Sequence, residues 1–262
     1  MSQKITLELK ALILDMDGVL WRDDQPIGDL PFVFSEISRR NLKVSLATNN
    51  ATLSVEQYLN KLERFGVSLR PEQIVNSSLA AAHYLCQRFP EGGNVYIIGE
   101  EGLILTLSQH GFKPSEKNVQ AVIVGLDRGL TFEKLKQATL LIRSGVPFIG
   151  TNPDRTFPTP YGLIPGAGAI LAAIEAATQV QPVIVGKPSP EMYRVAIDRM
   201  KSLPEETLVV GDRLETDIVG AQQLGCRSAL VLSGVTGLAA ARTWNPPPDY
   251  IAADLAALLH EL

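Results

Sequence analysis

The chain has 262 residues, enough for one large or two modest domains. Apolar residues make up 45% and aromatics only 6%, which predicts a core of Leu, Val, Ile and Ala. The 24 basic and 28 acidic residues give a net charge of −4 with no dense basic stretch, which argues against a nucleic-acid groove.

No run of ~18 apolar residues is present, so no membrane span is expected. The opening MSQKITLELK carries a charge every few residues and has no apolar stretch of the kind an export signal needs. Cys86 and Cys226 lie far apart and lack metal-ligand spacing. The expected location is the cytoplasm.

In chain order, Leu12–Leu14 reads as a buried strand that gives way to Asp15-Met16-Asp17-Gly18, two carboxylates at a strand end. Val44–Ala47 reads as a second strand, ending in Thr48-Asn49-Asn50. A helix follows, with Ser54 and Gln57 as a capping box and Val55, Tyr58, Leu59, Leu62 and Phe65 on one face before Gly66. Ile74-Val75 is a third short strand.

The middle of the chain reads as a self-contained βαβαβ unit. Its strands are Val95–Ile98, Val119–Val124 and Pro147–Ile149, and its helices Leu103–His110 and Thr131–Ser144. An irregular stretch rich in proline and glycine follows, TNPDRTFPTPYGLIPGAG, and then an alanine-rich helix to about Thr178. A long loop of that composition is expected to be functional or a boundary. Within it Asn152, Asp154 and Arg155 are candidates for contact with a substrate, and turn roles are open to them as well.

The first rhythm then resumes. Val183–Val185 leads into Gly186-Lys187-Pro188, and a helix starts at Ser189-Pro190-Glu191. Leu208–Val210 ends at Gly211-Asp212, Ile218–Leu224 is a helix stopped by Gly225, and Ala229–Leu232 and Tyr250-Ile251 are strands. The expected fold is α/β: a doubly wound, Rossmann-like parallel-sheet core built from residues 1–77 and 179–262. A smaller α/β domain, residues 78–178, is inserted through linkers around Asn76–Ser78 and Thr178–Gln181.

In a doubly wound sheet the strands ending at Asp15 and Asp212 would be neighbours at the switch point, where ligands bind. Asp15, Asp17, Asp212 and Asp217 would then crowd one edge. Like charges so close need neutralising, and a hard divalent cation with oxygen ligands, Mg²⁺ above all, does that. Lys187 adds a second positive charge. Such a set suits phosphoryl transfer, because an Asp carboxylate can attack phosphorus and the rest is alignment and charge neutralisation. Taken singly, each residue also has a plain reading: Thr48 as a strand-end hydroxyl, Lys187 as a solvated lysine, Asp212 and Asp217 as helix caps.

As a set, the four segments DMDG, TNN, GKP and GDRLETD resemble, in order and approximate spacing, the motifs of the haloacid dehalogenase superfamily of phosphotransferases. The position of the insert and the TNPD…PGAGA stretch look like the subfamily with a large α/β cap, which includes p-nitrophenyl, NagD-type nucleotide, phosphoglycolate and pyridoxal phosphatases. The resemblance implies that Asp15 is the nucleophile and Asp17 the general acid and then base. Thr48, with Asn49 and Asn50 close by, and Lys187 would hold the phosphate. Asp15, the main-chain carbonyl of Asp17, and Asp212 would bind Mg²⁺, with Asp217 behind them orienting a water on the ion.

The implied activity is Mg²⁺-dependent hydrolysis of small phosphomonoesters: p-nitrophenyl phosphate, sugar, glycerol or glycolate phosphates, or nucleoside monophosphates. The partner is thus a small phosphorylated metabolite, with neither nucleic acid nor membrane, and pairing of two copies through the cap is left open. A phosphomutase or other phosphotransferase can use the same motifs, although it usually carries a helical cap. A non-enzymatic phosphate binder should have lost at least one of Asp15, Asp17, Lys187 or Asp212, and all four are present. Asp17 stands where P-type pumps carry Thr, and signalling receivers are about half this size.

Overall fold

The Ala11–Leu14 strand is the centre of a six-stranded sheet and is wholly buried. That is why it reads as an unbroken apolar run: a parallel strand covered on both faces has no polar side. The computed structural model describes residues 8–159 and 162–262. The sheet order is Tyr250–Ala252, Arg227–Val231, Thr207–Gly211, Ala11–Leu14, Lys43–Thr48, Ile74–Asn76. Ala11–Leu14 pairs in parallel with both neighbours, Leu12 lying opposite Leu208 on one side and Val44 on the other. Most of the opening MSQKITLELK lies outside the described residues.

The chain divides into two compact units, one of residues 1–47, 59–75 and 193–262, the other of 48–58 and 76–192. In the first, Leu30–Arg39 is a helix the sequence reading did not resolve. Its N-cap Asp29 accepts from Phe32 N–H, a proline sits in the first turn, and Leu30, Val33 and Ile37 are buried on one face. A short hairpin, Trp21–Arg22 with Gln25–Pro26, was also not foreseen. Leu214, Ile218, Leu230 and Ala241 form a buried core cluster, with Leu232, Trp244 and Ile251 packed against it. Each fully buried Leu or Ile of this kind contributes roughly 1.5–3 kcal/mol.

The second unit has its own five-stranded parallel sheet, in the order Val183–Ile184, Phe148–Gly150, Ala121–Val124, Gly93–Ile98, Phe112–Pro114. The helices Phe132–Arg143 and Ala167–Thr178 pack on it through Ala138, Ile142, Ile170, Leu171 and Ile174, against Tyr96, Ile98, Val122, Val124 and Phe148. Thr131 caps the first of these helices by accepting from Lys134 N–H. The predicted capping box is present: Ser54 N–H donates to Gln57 Oε1 and Gln57 N–H to Ser54 Oγ.

One sequence expectation needs correction. The proline-rich stretch is not structureless. Thr156–Thr159 and Gly162–Pro165 pair as an antiparallel two-stranded ribbon, with Phe157 opposite Ile164. Proline is tolerated there because a two-stranded ribbon consists only of edges. The expected linker around Asn76–Ser78 runs straight from the end of a strand into a helix. Asn76 caps the helix Ser77–Arg88 by accepting from Leu79 N–H at 2.9 Å, and Ser77 and Ser78 are fully buried. Among the described residues no helix is long and apolar enough to cross a membrane.

Candidate active site

In the first unit, the acid cluster is a product of strand register. Asp15 follows the last residue of its strand, and its N–H donates to Val210 O at 2.9 Å. Asp212 follows Gly211, the last residue of the neighbouring parallel strand. Leu14 lies opposite Val210, so both acids leave the sheet on the same edge. Asp217 comes up from the π-helical turn Leu214–Ile218 immediately afterwards, with Oδ2 accepting from Arg213 N–H at 3.1 Å. One carboxylate oxygen from each of Asp15, Asp212 and Asp217 lies within 4.8 Å of the others, Asp212 and Asp217 being buried and Asp15 half-buried. The donors are carboxylate oxygens only. That set suits a hard cation such as Mg²⁺ and not a thiolate- or imidazole-seeking one.

Asp212 is held by the loop after the next strand. Its Oδ2 accepts from Val235 N–H at 2.7 Å, and its carbonyl from Thr236 N–H at 3.1 Å. Two glycines make room for it. A Cβ on Gly18, which has φ +83°, would stand 2.5 Å from Asp212 Oδ2, and one on Gly234 would overlap the same carboxylate. Ser233 Oγ donates to Gly18 O, and Arg22 donates through Nε and Nη2 to Ser233 O, so the two loops are latched together. Arg22, Ser233 and Gly234 were missed in the sequence. The Gly after Ser233 was the available signal.

The Asp17 carboxylate is bonded within its own turn. Its Oδ1 accepts from Trp21 Nε1 at 2.9 Å, in a turn closed by Gly18 N–H to Trp21 O at 2.7 Å. Trp21 is itself buried. Lys61 Nζ lies 4.6 Å from the centroid of its ring, and Phe65 packs against it.

In the second unit, Thr48 ends its strand as a buried residue whose Oγ1 accepts from Asn50 N–H at 3.1 Å. Asn50 Oδ1 accepts from the N–H and the hydroxyl of Thr52, at 2.9 and 2.7 Å. Asn49 and Lys187, 138 residues apart in sequence, are joined directly. Asn49 Oδ1 accepts from Lys187 N–H at 2.8 Å, and Asn49 Nδ2 donates to Lys187 O at 3.1 Å. Lys187 is a buried lysine.

The Asn152–Arg155 stretch divides. Asn152 is buried, with Nδ2 donating to Asn49 O at 2.8 Å and Oδ1 accepting from Asp154 N–H. Asp154 Oδ2 accepts from Asn49 Nδ2 at 3.2 Å. Arg155 is exposed. Asn152 and Asp154 are thus gathered onto the Thr48–Asn50 turn, and Arg155 stands outside that network.

A parallel α/β sheet with carboxylates converging at the ends of adjacent strands, and a second α/β unit beside it in the chain, defines a class of hydrolase. Residues 12–113 match the family described as haloacid dehalogenase-like hydrolase, and 184–258 a second, HAD-hydrolase-like family. The chain is 34% identical to the acid sugar phosphatase of Staphylococcus aureus over 97% of its own length and 98% of that protein. Among solved structures it is similar to NagD from Escherichia coli K-12, with a TM-score of 0.89 at 34% identity, covering 95% of this chain and 98% of that one. It is also similar to a glycerol phosphate phosphatase from Mycobacterium tuberculosis solved in complex with magnesium, with a TM-score of 0.89 at 34% identity, covering 97% of this chain and 77% of that one. The chain belongs to the haloacid dehalogenase-like hydrolases, on their NagD-like branch. It is a phosphomonoester hydrolase.

Proposed function

We propose that the chain hydrolyses small phosphomonoesters with Mg²⁺ through an aspartyl-phosphate on Asp15. The observation that carries this reading is the oxygen-only cluster of Asp15 and Asp212, at the ends of two adjacent parallel strands, with Asp217 from the turn that follows. Asp15, Asp212 and the main-chain carbonyl of Asp17 would hold Mg²⁺, with Asp217 supporting them. The ion, when bound, supplies charge neutralisation for the phosphate and the attacking carboxylate.

The residues divide the chemistry in two half-reactions. A carboxylate oxygen of Asp15 forms a bond to phosphorus as the bond to the ester oxygen breaks. Asp17 gives that leaving oxygen a proton, and the alcohol departs. Asp17 then takes a proton from water as the water oxygen attacks phosphorus, and inorganic phosphate leaves Asp15 restored. Thr48, Asn50 and Lys187 hold the phosphoryl oxygens in this reading, with Asn49 beside them.

In this reading residues 1–77 and 179–262 supply the catalytic core, the strand Val183–Ile184 excepted because it joins the other unit's sheet, and 78–178 supply a cap that reads the leaving group. Phosphorylated sugars and polyols are the substrate class best supported, because the similar proteins named above include an acid sugar phosphatase and a glycerol phosphate phosphatase. The unpaired Cys86 and Cys226 suit a reducing compartment such as the cytoplasm.

The test is phosphate release from a panel of phosphomonoesters with Mg²⁺ and with EDTA. Turnover in Mg²⁺ that favours sugar and polyol phosphates and stops in EDTA is expected. Full turnover in EDTA would overturn the metal-assisted reading, and a flat panel would overturn the substrate class.

A further inference from the structure

Asn49 lies in the segment assigned to phosphate, yet its side chain is fully engaged elsewhere. Its amide nitrogen has two N–H bonds, and these serve Lys187 O and Asp154 Oδ2. Its Oδ1 accepts from Lys187 N–H. The amide orientation is fixed by its partners, since a main-chain N–H requires an acceptor and a carbonyl and a carboxylate require donors. A phosphate dianion offers only acceptors, so the Asn49 side chain has no donor left to give it. Its carbonyl is also taken, by Ser77 Oγ at 2.6 Å and Asn152 Nδ2 at 2.8 Å.

We infer that Asn49 is a positioning residue that clamps the main chain of Lys187 and couples its placement to the Asn152–Asp154 loop. The paired contacts to Lys187 N–H and O imitate one rung of a β-ladder, which fixes where the lysine side chain leaves the backbone. Asp154 holds the clamp in register from the other side, and Asn152 braces both by bonding Asn49 O and Asp154 N–H. The loop that the cap contributes therefore sets the geometry of the phosphate-binding cation without touching phosphate. This inference rests on Lys187 being a phosphate ligand.

The experiment is a double-mutant cycle. Inorganic phosphate inhibition, KM and kcat with p-nitrophenyl phosphate and Mg²⁺ are measured for the wild type, Asn49→Ala, Lys187→Ala and the double variant, each checked for folding by circular dichroism. Asn49→Ala should weaken phosphate inhibition about 10- to 100-fold, the cost of misplacing one binding group. In the Lys187→Ala background the same change should cost nothing further. If Asn49→Ala does not fold, Asp154→Ala takes its place in the same cycle, with a smaller loss expected only when Lys187 is present. An equal loss with and without Lys187, or no loss in either, overturns the inference. If Lys187→Ala itself leaves phosphate inhibition unchanged, the failure lies with Lys187 as a phosphate ligand, and the inference falls with it.

Discussion

Trp21 Nε1 donates to Asp17 Oδ1 at 2.9 Å, so the proposed general acid is aimed by an indole four residues downstream in the same turn. The indole is in turn locked by burial, by Phe65 and by the Lys61 ammonium over its ring. As the acid Asp17 carries its proton, and a hydrogen bond between neutral groups contributes ~0.5–1.5 kcal/mol net. Trp21→Phe keeps an aromatic ring, removes the donor and leaves space where the larger indole was buried, so kcat should fall about 3- to 10-fold. An alkyl phosphate, whose leaving oxygen needs its proton, should suffer more than p-nitrophenyl phosphate, and Asp17→Asn should show the same bias more strongly. Equal losses on both substrates in single-turnover phosphorylation would separate Trp21 and Asp17 from proton transfer.

Gly18 is the second sensitive point. Gly18→Ala places a methyl 2.5 Å from Asp212 Oδ2 at a φ of +83°, where a side chain is strained. Mg²⁺ binding to the folded protein should raise its stability, by ~2.7 kcal/mol at a hundred times Kd. Thermal unfolding with and without Mg²⁺ should show that gain in the wild type, a reduced gain in Gly18→Ala and none in Asp212→Ala. A full Mg²⁺ shift in Asp212→Ala would place the ion elsewhere.

Burial pushes the Cys226 thiol up to about 12, from 9.0. The unfolded thiol therefore ionises near pH 9 while the folded one stays protonated. The folded form then binds more protons, so this group's contribution to stability is complete below about pH 9 and is lost as pH rises toward 12. Cys226→Ala should flatten the alkaline fall in stability across that window. Labelling of the native protein with a disulfide reagent at pH 8 should modify half-buried Cys86 well before buried Cys226. Fast labelling of Cys226 would contradict its burial.

What could be read from the sequence follows from what is local. Asp15 and Asp212 each end an apolar run, and the rule that ligands gather at such strand ends was enough to make them neighbours. The Ser54–Gln57 box and the Gly225 stop, at φ +79°, are likewise written within a few residues. Other features depend on distant partners. Trp21 sits inside an apolar run and reads as core, so its bond to Asp17 leaves no trace. The Asn49–Lys187 clamp spans 138 residues, and neither residue announces the other. Val183–Ile184 is legible as a strand, but two residues carry no information about which sheet they join, and they lie beside Phe148–Gly150. The Thr156–Pro165 ribbon lacks apolar alternation and holds prolines, so its pairing was hidden.

The central claim is that Asp15 carries the phosphoryl group between the two half-reactions. The direct measurement is rapid acid quench of enzyme with p-nitrophenyl phosphate and Mg²⁺, followed by peptide mass spectrometry. The account predicts a transient phosphate on the peptide containing Asp15, labile to hydroxylamine and absent in Asp15→Asn and in EDTA. Turnover with no phosphorylated peptide under single-turnover conditions, or phosphate on a peptide without Asp15, would contradict it.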